Sequence, residues 1–141
     1  VPLSYGDKNY AELVIKHGRL IFGDKFIPLL DFMTSDEYAK LLASVDIGVF
    51  YNDRQQALGN IYALLYLGKK IFIRSDISSW KYLTEFFNFG INDSLNINSM
   101  EYGQFIKVDE EVSKDNNKMS EKYFYNTDYL IDVWNKVFLD R

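Results

Sequence analysis

The chain has no cysteine and a single histidine, His17. The first absence removes disulfides, thiol catalysis and cysteine metal sites, and it suits a reducing cytoplasm. The second removes any multi-histidine metal centre. No apolar run approaches the roughly 20 residues of a membrane span, and the opening residues do not read as a signal peptide. Neither G-x-G-x-x-G nor G-x-x-x-x-G-K-[ST] occurs, so the dinucleotide fingerprint and the P-loop are both missing. Clustered positive charge is lacking as well. Net charge is −4, which argues against a dedicated nucleic-acid binder, because phosphate neutralisation needs grouped Lys and Arg.

What is present reads as one folded domain. The 141 residues are enough for one core and too few for two. At 48% hydrophobic and 26% charged the chain folds rather than staying disordered. Aromatic residues reach 17%, with 11 Tyr and 11 Phe, which predicts large side chains in the core and a buried partner face. Val1-Pro2-Leu3-Ser4-Tyr5-Gly6 reads as the end of a strand running into a tight turn. With no initiator Met, the expectation is a fragment whose upstream half is absent.

Helix and strand signals then alternate. Tyr10, Leu13, Val14 and His17 recur at helical spacing, with Gly18 as the expected stop. Phe26 to Phe32 reads as a strand, with Pro28 near its start or at an edge. Thr34-Ser35-Asp36-Glu37 is a capping box opening a helix with Tyr38, Leu41, Leu42 and Val45 on one face. Val45 to Tyr51 is a β-prone run, Ile61 to Leu67 a buried helix ended by Gly68, and Lys69 to Ile73 a short strand. Ser78 or Ser79 is placed to cap a helix whose face is Trp80, Leu83 and Phe87. Past Gly90 the pattern weakens: Asn92, Asp93, Asn96, Asn98 and Ser99 read as loop and turn, and Asp109 to Lys122 as a solvated helix or loop. Leu130, Val133, Trp134, Val137 and Phe138 mark a final amphipathic helix, packed back on the domain or on a missing neighbour. Strand–helix alternation with short connections predicts an α/β, Rossmann-like open parallel sheet flanked by helices.

The strongest functional signal is Arg54-Gln55-Gln56-Ala57-Leu58-Gly59-Asn60, between the Val45–Tyr51 run and the following helix. In an open parallel sheet, ligands bind beyond the carboxyl ends of the strands, and helix N-termini favour phosphate. Arg54 can fork onto a diphosphate, Gly59 lets a ligand approach, and Gln55, Gln56 and Asn60 can read sugar hydroxyls. The plain alternative is a surface loop with Asn60 as helix cap. Ser4, Tyr5 and Gly6 form a second candidate phosphate turn, or an ordinary turn needing positive φ at Gly6. Phe32 and Met33 can flank a base or serve as core. Arg74-Ser75-Asp76 reads as a capping loop before a phosphate contact, and His17 as a packed helix residue before a catalyst. No nucleophile–base set is visible, so the catalytic residues stay unassigned.

The segments P-L-S-Y-G, F-M-T-S-D-E-Y, D-I-G-V-F, R-Q-Q-A-L-G-N and L-G-K-K-I-F-I, over roughly Pro2 to Leu83, together resemble the C-terminal half of a GT-B glycosyltransferase. The resemblance is to the 4-acetamido-4,6-dideoxygalactose (Fuc4NAc) transferases, also named 4-alpha-L-fucosyltransferases, of enterobacterial common antigen synthesis. It implies that residues 1–141 are a donor-binding domain whose N-terminal acceptor domain is absent. It implies a nucleotide-diphosphate-sugar donor, with dTDP as the nucleotide, and a lipid-linked saccharide acceptor at the cytoplasmic face of the inner membrane, with peripheral membrane association. It also implies an inverting mechanism without metal or other cofactor. The diphosphate would then fall to Ser4, Tyr5, Gly6, Arg54, Gly59 and Asn60, and base and sugar to Phe32, Met33, Gln55 and Gln56. Many GT-B donor domains carry two glutamates across this junction. Here Gln55 and Ala63 stand in the matching region, so sugar contacts made by those carboxylates do not carry over. A flavodoxin-like or receiver-like interaction module and a sugar-nucleotide epimerase are the competing readings. The first lacks its acidic cluster and lysine, and the second its acid/base side chains.

Overall fold

The computed structural model describes residues 1–4 and 6–139. They form two compact units, residues 1–39 and 40–141.

In the first unit, helix α1 (Lys8–Phe22) begins at Asp7, whose carboxylate accepts the Tyr10 amide at 2.7 Å. The helix does not stop at Gly18 as expected. It runs on for another turn and ends at Gly23, which takes the positive φ of 56° that a helix end favours. Gly18 is instead a packing position, because a Cβ there would lie 2.3 Å from the Phe26 ring. His17 is a helix residue, donating from Nδ1 to the Leu13 carbonyl at 2.8 Å. The strand expected over Phe26 to Phe32 is reduced to one parallel bridge, Pro2 with Leu29. Leu3 donates to the Leu29 carbonyl at 2.8 Å and Leu29 to the Val1 carbonyl at 2.9 Å. The N-terminus of Val1 also donates to the Ile27 carbonyl at 2.9 Å, so Val1, Leu3, Ile27 and Leu29 make these bonds, and Pro2 and Pro28, with no N–H, take the alternating positions that donate nothing to the pairing. The capping box forms as read: Thr34 donates from its amide and its hydroxyl to Glu37, each at 2.8 Å, and the Glu37 amide returns to Thr34 Oγ1 at 3.3 Å. Those bonds hold the Glu37 carboxyl below its ordinary value, the Thr34 amide contributing most. They open α2 (Ser35–Ser44).

The second unit is mixed α/β. Strands β1 (Ile47–Phe50), β2 (Lys70–Ile73) and β3 (Asn92–Asp93) form a parallel sheet in the order β1-β2-β3. Ile47 pairs with Lys70, Phe50 with Ile73, and Ile73 with Asp93. Helix α3 (Leu58–Tyr66) lies between β1 and β2 in the chain and ends at Gly68, whose φ is +66°. Ile61, Leu64 and Leu65 of α3 build the core with Ile71, Ile73, Leu83 and Phe89. Gly48 lets α3 sit close on β1, since a Cβ there would meet Leu64 Cδ1 at 2.8 Å.

After β2 comes α4 (Ser78–Lys81), continued as one π turn over Tyr82–Phe86. Neither Ser78 nor Ser79 caps it; the cap position is Ile77, with no side-chain bond. The region past Gly90 holds more order than its polar sequence predicts. It contains β3, a 3-10 turn over Ser94–Ser99, α5 (Tyr102–Ile106), α6 (Glu110–Ser120) and a π turn over Glu121–Tyr125. Helix α6 is polar outside, yet Asn116 is buried and clamps Gly90 by accepting its amide at 2.8 Å and donating to its carbonyl at 2.9 Å. Several aromatic rings pack together at this end, where Phe124 stacks on Tyr62 at 4.2 Å and on Phe89 at 5.5 Å. Helix α7 (Thr127–Leu139) is amphipathic as expected. Ile131, Trp134, Val137 and Phe138 on it remain exposed, with Trp134 and Phe138 stacked on each other at 5.6 Å. No helix among the described residues is long and apolar enough to cross a membrane.

Candidate functional site

Because the three strands are parallel, their carboxyl ends open onto one edge, and three loops leave the sheet there. Tyr51 to Ala57 leads from β1 to α3, Arg74 to Ile77 leads from β2 to α4, and Ser94 follows β3. This is the edge at which open α/β sheets take ligands.

Two of the three loops are tied down. Arg74 forks onto Asp76, with Nε to Oδ1 at 2.9 Å and Nη2 to Oδ2 at 2.7 Å, and its guanidinium lies 5.2 Å over the Tyr51 ring. The pair holds Asp76 below its ordinary value, through the hydrogen bond from Arg74 first. Asp93 bridges β3 to the loop after β2. It accepts the Ser75 amide at 3.1 Å, the Ser75 hydroxyl at 2.7 Å and the Leu95 amide at 2.9 Å. Partial burial alone would raise the Asp93 carboxyl, but the bonds from Ser75 and Leu95 outweigh it and hold the group below its ordinary value. Ser94 adds a cross-tie from its hydroxyl to the Phe50 carbonyl at 3.3 Å.

The third loop is different. The side chains of Arg54, Gln55 and Gln56 are exposed, and Arg54 has no ion pair among the described residues. Ala57 takes the cap position of α3 in the left-handed conformation, φ 59° and ψ 26°, with no side-chain bond to the helix amides. Asn60 is therefore the third residue of α3 and not its cap, its amide donating to the Ala57 carbonyl at 3.0 Å. Gly59 is exposed, with open space where a Cβ would point. The first turn of α3 thus presents backbone donors that no side chain occupies.

Beside this turn lies a cavity of about 270 Å³ lined by Gln55, Leu58, Tyr62, Ser78, Ser79 and Tyr82. Of the residues singled out at this junction only Gln55 reaches it; Arg54, Gln56, Gly59 and Asn60 do not line it. The Tyr62 phenol is pushed up to about 12, by burial first and then by the neighbouring Tyr82 phenol. It is a neutral hydrogen-bonding group throughout the physiological range. Ser79 is 4% exposed, and its hydroxyl has no hydrogen-bond partner.

The other sequence candidates fall in the first unit. Gly6 has the positive φ, 99°, that its turn reading requires, and Ser4 is half-buried beside it. Tyr5 lies outside the described residues. Phe32 is 80% exposed and Met33 39%, so neither is core within its unit. Sequence reasoning missed Asp93, Tyr62 and Tyr82. Asp93 sits in a polar stretch with no strand signal, and the two tyrosines read as ordinary helix residues. Among the described residues no three carboxylate or imidazole groups gather to hold a metal ion.

No solved structure matches this chain. The family model described as 4-alpha-L-fucosyltransferase glycosyl transferase group 56 matches residues 1–138. With nearly the whole length matched, the chain belongs to glycosyl transferase group 56 and carries a glycosyltransferase domain.

Proposed function

We propose that this chain is the donor-binding half of a GT-B glycosyltransferase, which moves a dTDP-linked, Fuc4NAc-like sugar onto a lipid-linked saccharide in cell-surface polysaccharide synthesis. The observation that carries the reading is the unengaged Arg54 next to the uncapped first turn of α3, at the carboxyl edge of a parallel sheet. Arg74, the other cation of these loops among the described residues, is neutralised by Asp76.

In this reading the donor diphosphate meets the α3 amides near Gly59 and the Arg54 guanidinium. Transfer breaks the bond between the anomeric carbon and the diphosphate oxygen. It forms a bond from that carbon to an acceptor hydroxyl oxygen, whose proton passes to a base outside the residues assigned. Negative charge grows on the leaving diphosphate, and fixed N–H donors with a forked cation are suited to stabilising it without a metal ion. The acceptor and the membrane contact belong, on this reading, to a separate N-terminal domain.

The test is isothermal titration of the chain with dTDP, UDP and GDP, repeated with Arg54→Ala. Saturable binding of one nucleotide is expected. The substitution should weaken it by roughly 10- to 100-fold, the loss of one or two charge-assisted hydrogen bonds at about 1.5–3 kcal/mol. Unchanged affinity in Arg54→Ala would remove the diphosphate from this junction.

A further inference from the structure

The cavity beside α3 has a chemistry distinct from the phosphate-binding groups around it. Its six lining residues offer one amide, two serine hydroxyls, two phenols and a leucine, and no formal charge. A phosphate placed there would lose its hydration with no cation to replace it. At about 270 Å³ it falls below the roughly 300–1,000 Å³ of sites that take a whole drug-sized ligand, so it holds one ring and not a complete nucleotide sugar. A flat base is poorly served. The Tyr62 ring is already stacked on Phe124, and the Tyr82 ring packs against Phe86 and Phe87, so the two cannot close on both faces of a base.

Ser79 supplies the second, independent observation. Buried hydroxyls nearly always find a partner, and this one has none although it is 4% exposed and forms part of the cavity wall. The structure pairs an orphan donor-acceptor with a neutral, hydroxyl-rich space.

We infer that this cavity is the subsite for the transferred sugar, an uncharged pyranose. Ser79 and Gln55 hydrogen-bond its ring substituents, Tyr62 holds a hydroxyl or acetamido group as a neutral phenol, and Leu58 covers its C–H face. The inference rests on the donor-domain reading above, and it deepens that reading by making Ser79 and Tyr62, together with Gln55, the residues that sense the sugar.

The experiment compares dTDP with dTDP-glucose, and UDP with UDP-glucose, by titration into the wild-type chain, Ser79→Ala, Tyr62→Phe and Ser79→Leu. The favoured sugar nucleotide should bind the wild type about 10-fold more tightly than its bare nucleotide, about 1.4 kcal/mol. Ser79→Ala and Tyr62→Phe should erase most of that excess, Ser79→Leu should erase all of it by filling the space, and affinity for the bare nucleotide should stay put in all three. Ser79→Ala removes a hydroxyl that bonds to nothing, so its melting temperature should match or exceed that of the wild type and folding will not obscure the result. Nucleotide binding with no excess for the sugar form, or an excess that survives all three substitutions, overturns the inference and leaves the donor-domain reading standing. Equal loss for sugar nucleotide and bare nucleotide also overturns it, by placing the nucleotide in the cavity. A wild type that binds neither form sinks the donor-domain reading and this inference together.

Discussion

At the amino edge of the three-stranded sheet two lysines are spent on the protein's own carbonyls, whereas at the carboxyl edge the charges are tied by side chains and Arg54 has no ion pair among the described residues. Lys69 donates to the Ala43 carbonyl at 2.8 Å, and Lys70 to the Gln104 and Lys107 carbonyls at 2.7 and 2.8 Å. Neither has an ion pair among the described residues, and desolvation holds Lys70 below its ordinary value. Asp93 at the other edge feels burial too, but hydrogen bonds from Ser75 and Leu95 win, and its charged form is favoured. The amino edge therefore uses charge to tie chain segments together and discourages that charge. The carboxyl edge supports its charge with fixed donors from Ser75 and Leu95.

The sharpest way to break this contrast is at Asp93. Asp93→Ala removes the acceptor of three close bonds and leaves the Ser75 groups without their partner. With hydrogen bonds to a charged group worth about 1.5–3 kcal/mol and imperfect additivity, a loss of roughly 3 kcal/mol is expected in urea unfolding. A loss under about 1 kcal/mol would mean that the bridge between β3 and the β2 loop is not structural. The same group sets a pH dependence. A carboxyl lower in the folded than in the unfolded chain contributes stability that is present above the unfolded value, near 3.9, and fades as pH falls through the folded one. Asp76 shares that sign. The wild type should thus lose stability below about pH 4, and Asp93→Ala should show a shallower acid limb.

Lys70→Met is the matching change at the amino edge, and a smaller effect is expected. Two carbonyls lose a donor, but a disfavoured charge goes with it, so the net cost should be about 1 kcal/mol with nucleotide affinity unchanged. If affinity fell as well, the two edges would be coupled and the division of labour drawn above would fail.

How far this arrangement could be read from the sequence depends on the range of each signal. The Thr34–Glu37 box, β1, β2 and the Gly68 helix end are written within a few residues, and each forms where its local pattern puts it. A strand-to-helix connection after β1 is legible for the same reason, lying between two strong apolar runs, but α3 begins at Leu58, three residues ahead of the run that marks it. Gly18 was misread because its purpose depends on Phe26, which lies beyond the helix and packs against it. The strand over Phe26 to Phe32 comes down to the bridge of Leu29 with Pro2, because an apolar run does not say how long a segment will pair with it. Strand β3 is two polar residues long, and its place is fixed by Asp93 bonds that have no periodicity. Ser79 looked like a cap because serine before a helix usually is one; only packing reveals that its hydroxyl is buried and unpartnered.

The finest test of the carboxyl edge is the strained residue in its free loop. Ala57 holds a left-handed conformation that costs a non-glycine residue roughly 1–2 kcal/mol, and it does so at the cap of α3, where the open amides begin. Strain of this kind persists only where its surroundings enforce it, and it gathers at binding sites. Ala57→Gly removes that steric cost but frees the unfolded chain by about 0.4–1 kcal/mol, so a small net stabilisation of about 0.5–1 kcal/mol is expected. Nucleotide affinity should move the other way. A glycine leaves the turn less fixed before binding, and ordering it on binding should cost about threefold in affinity, some 0.7 kcal/mol. Unchanged affinity would instead make the Ala57 conformation a local flaw of the loop, and the amides of the first α3 turn would owe nothing to it.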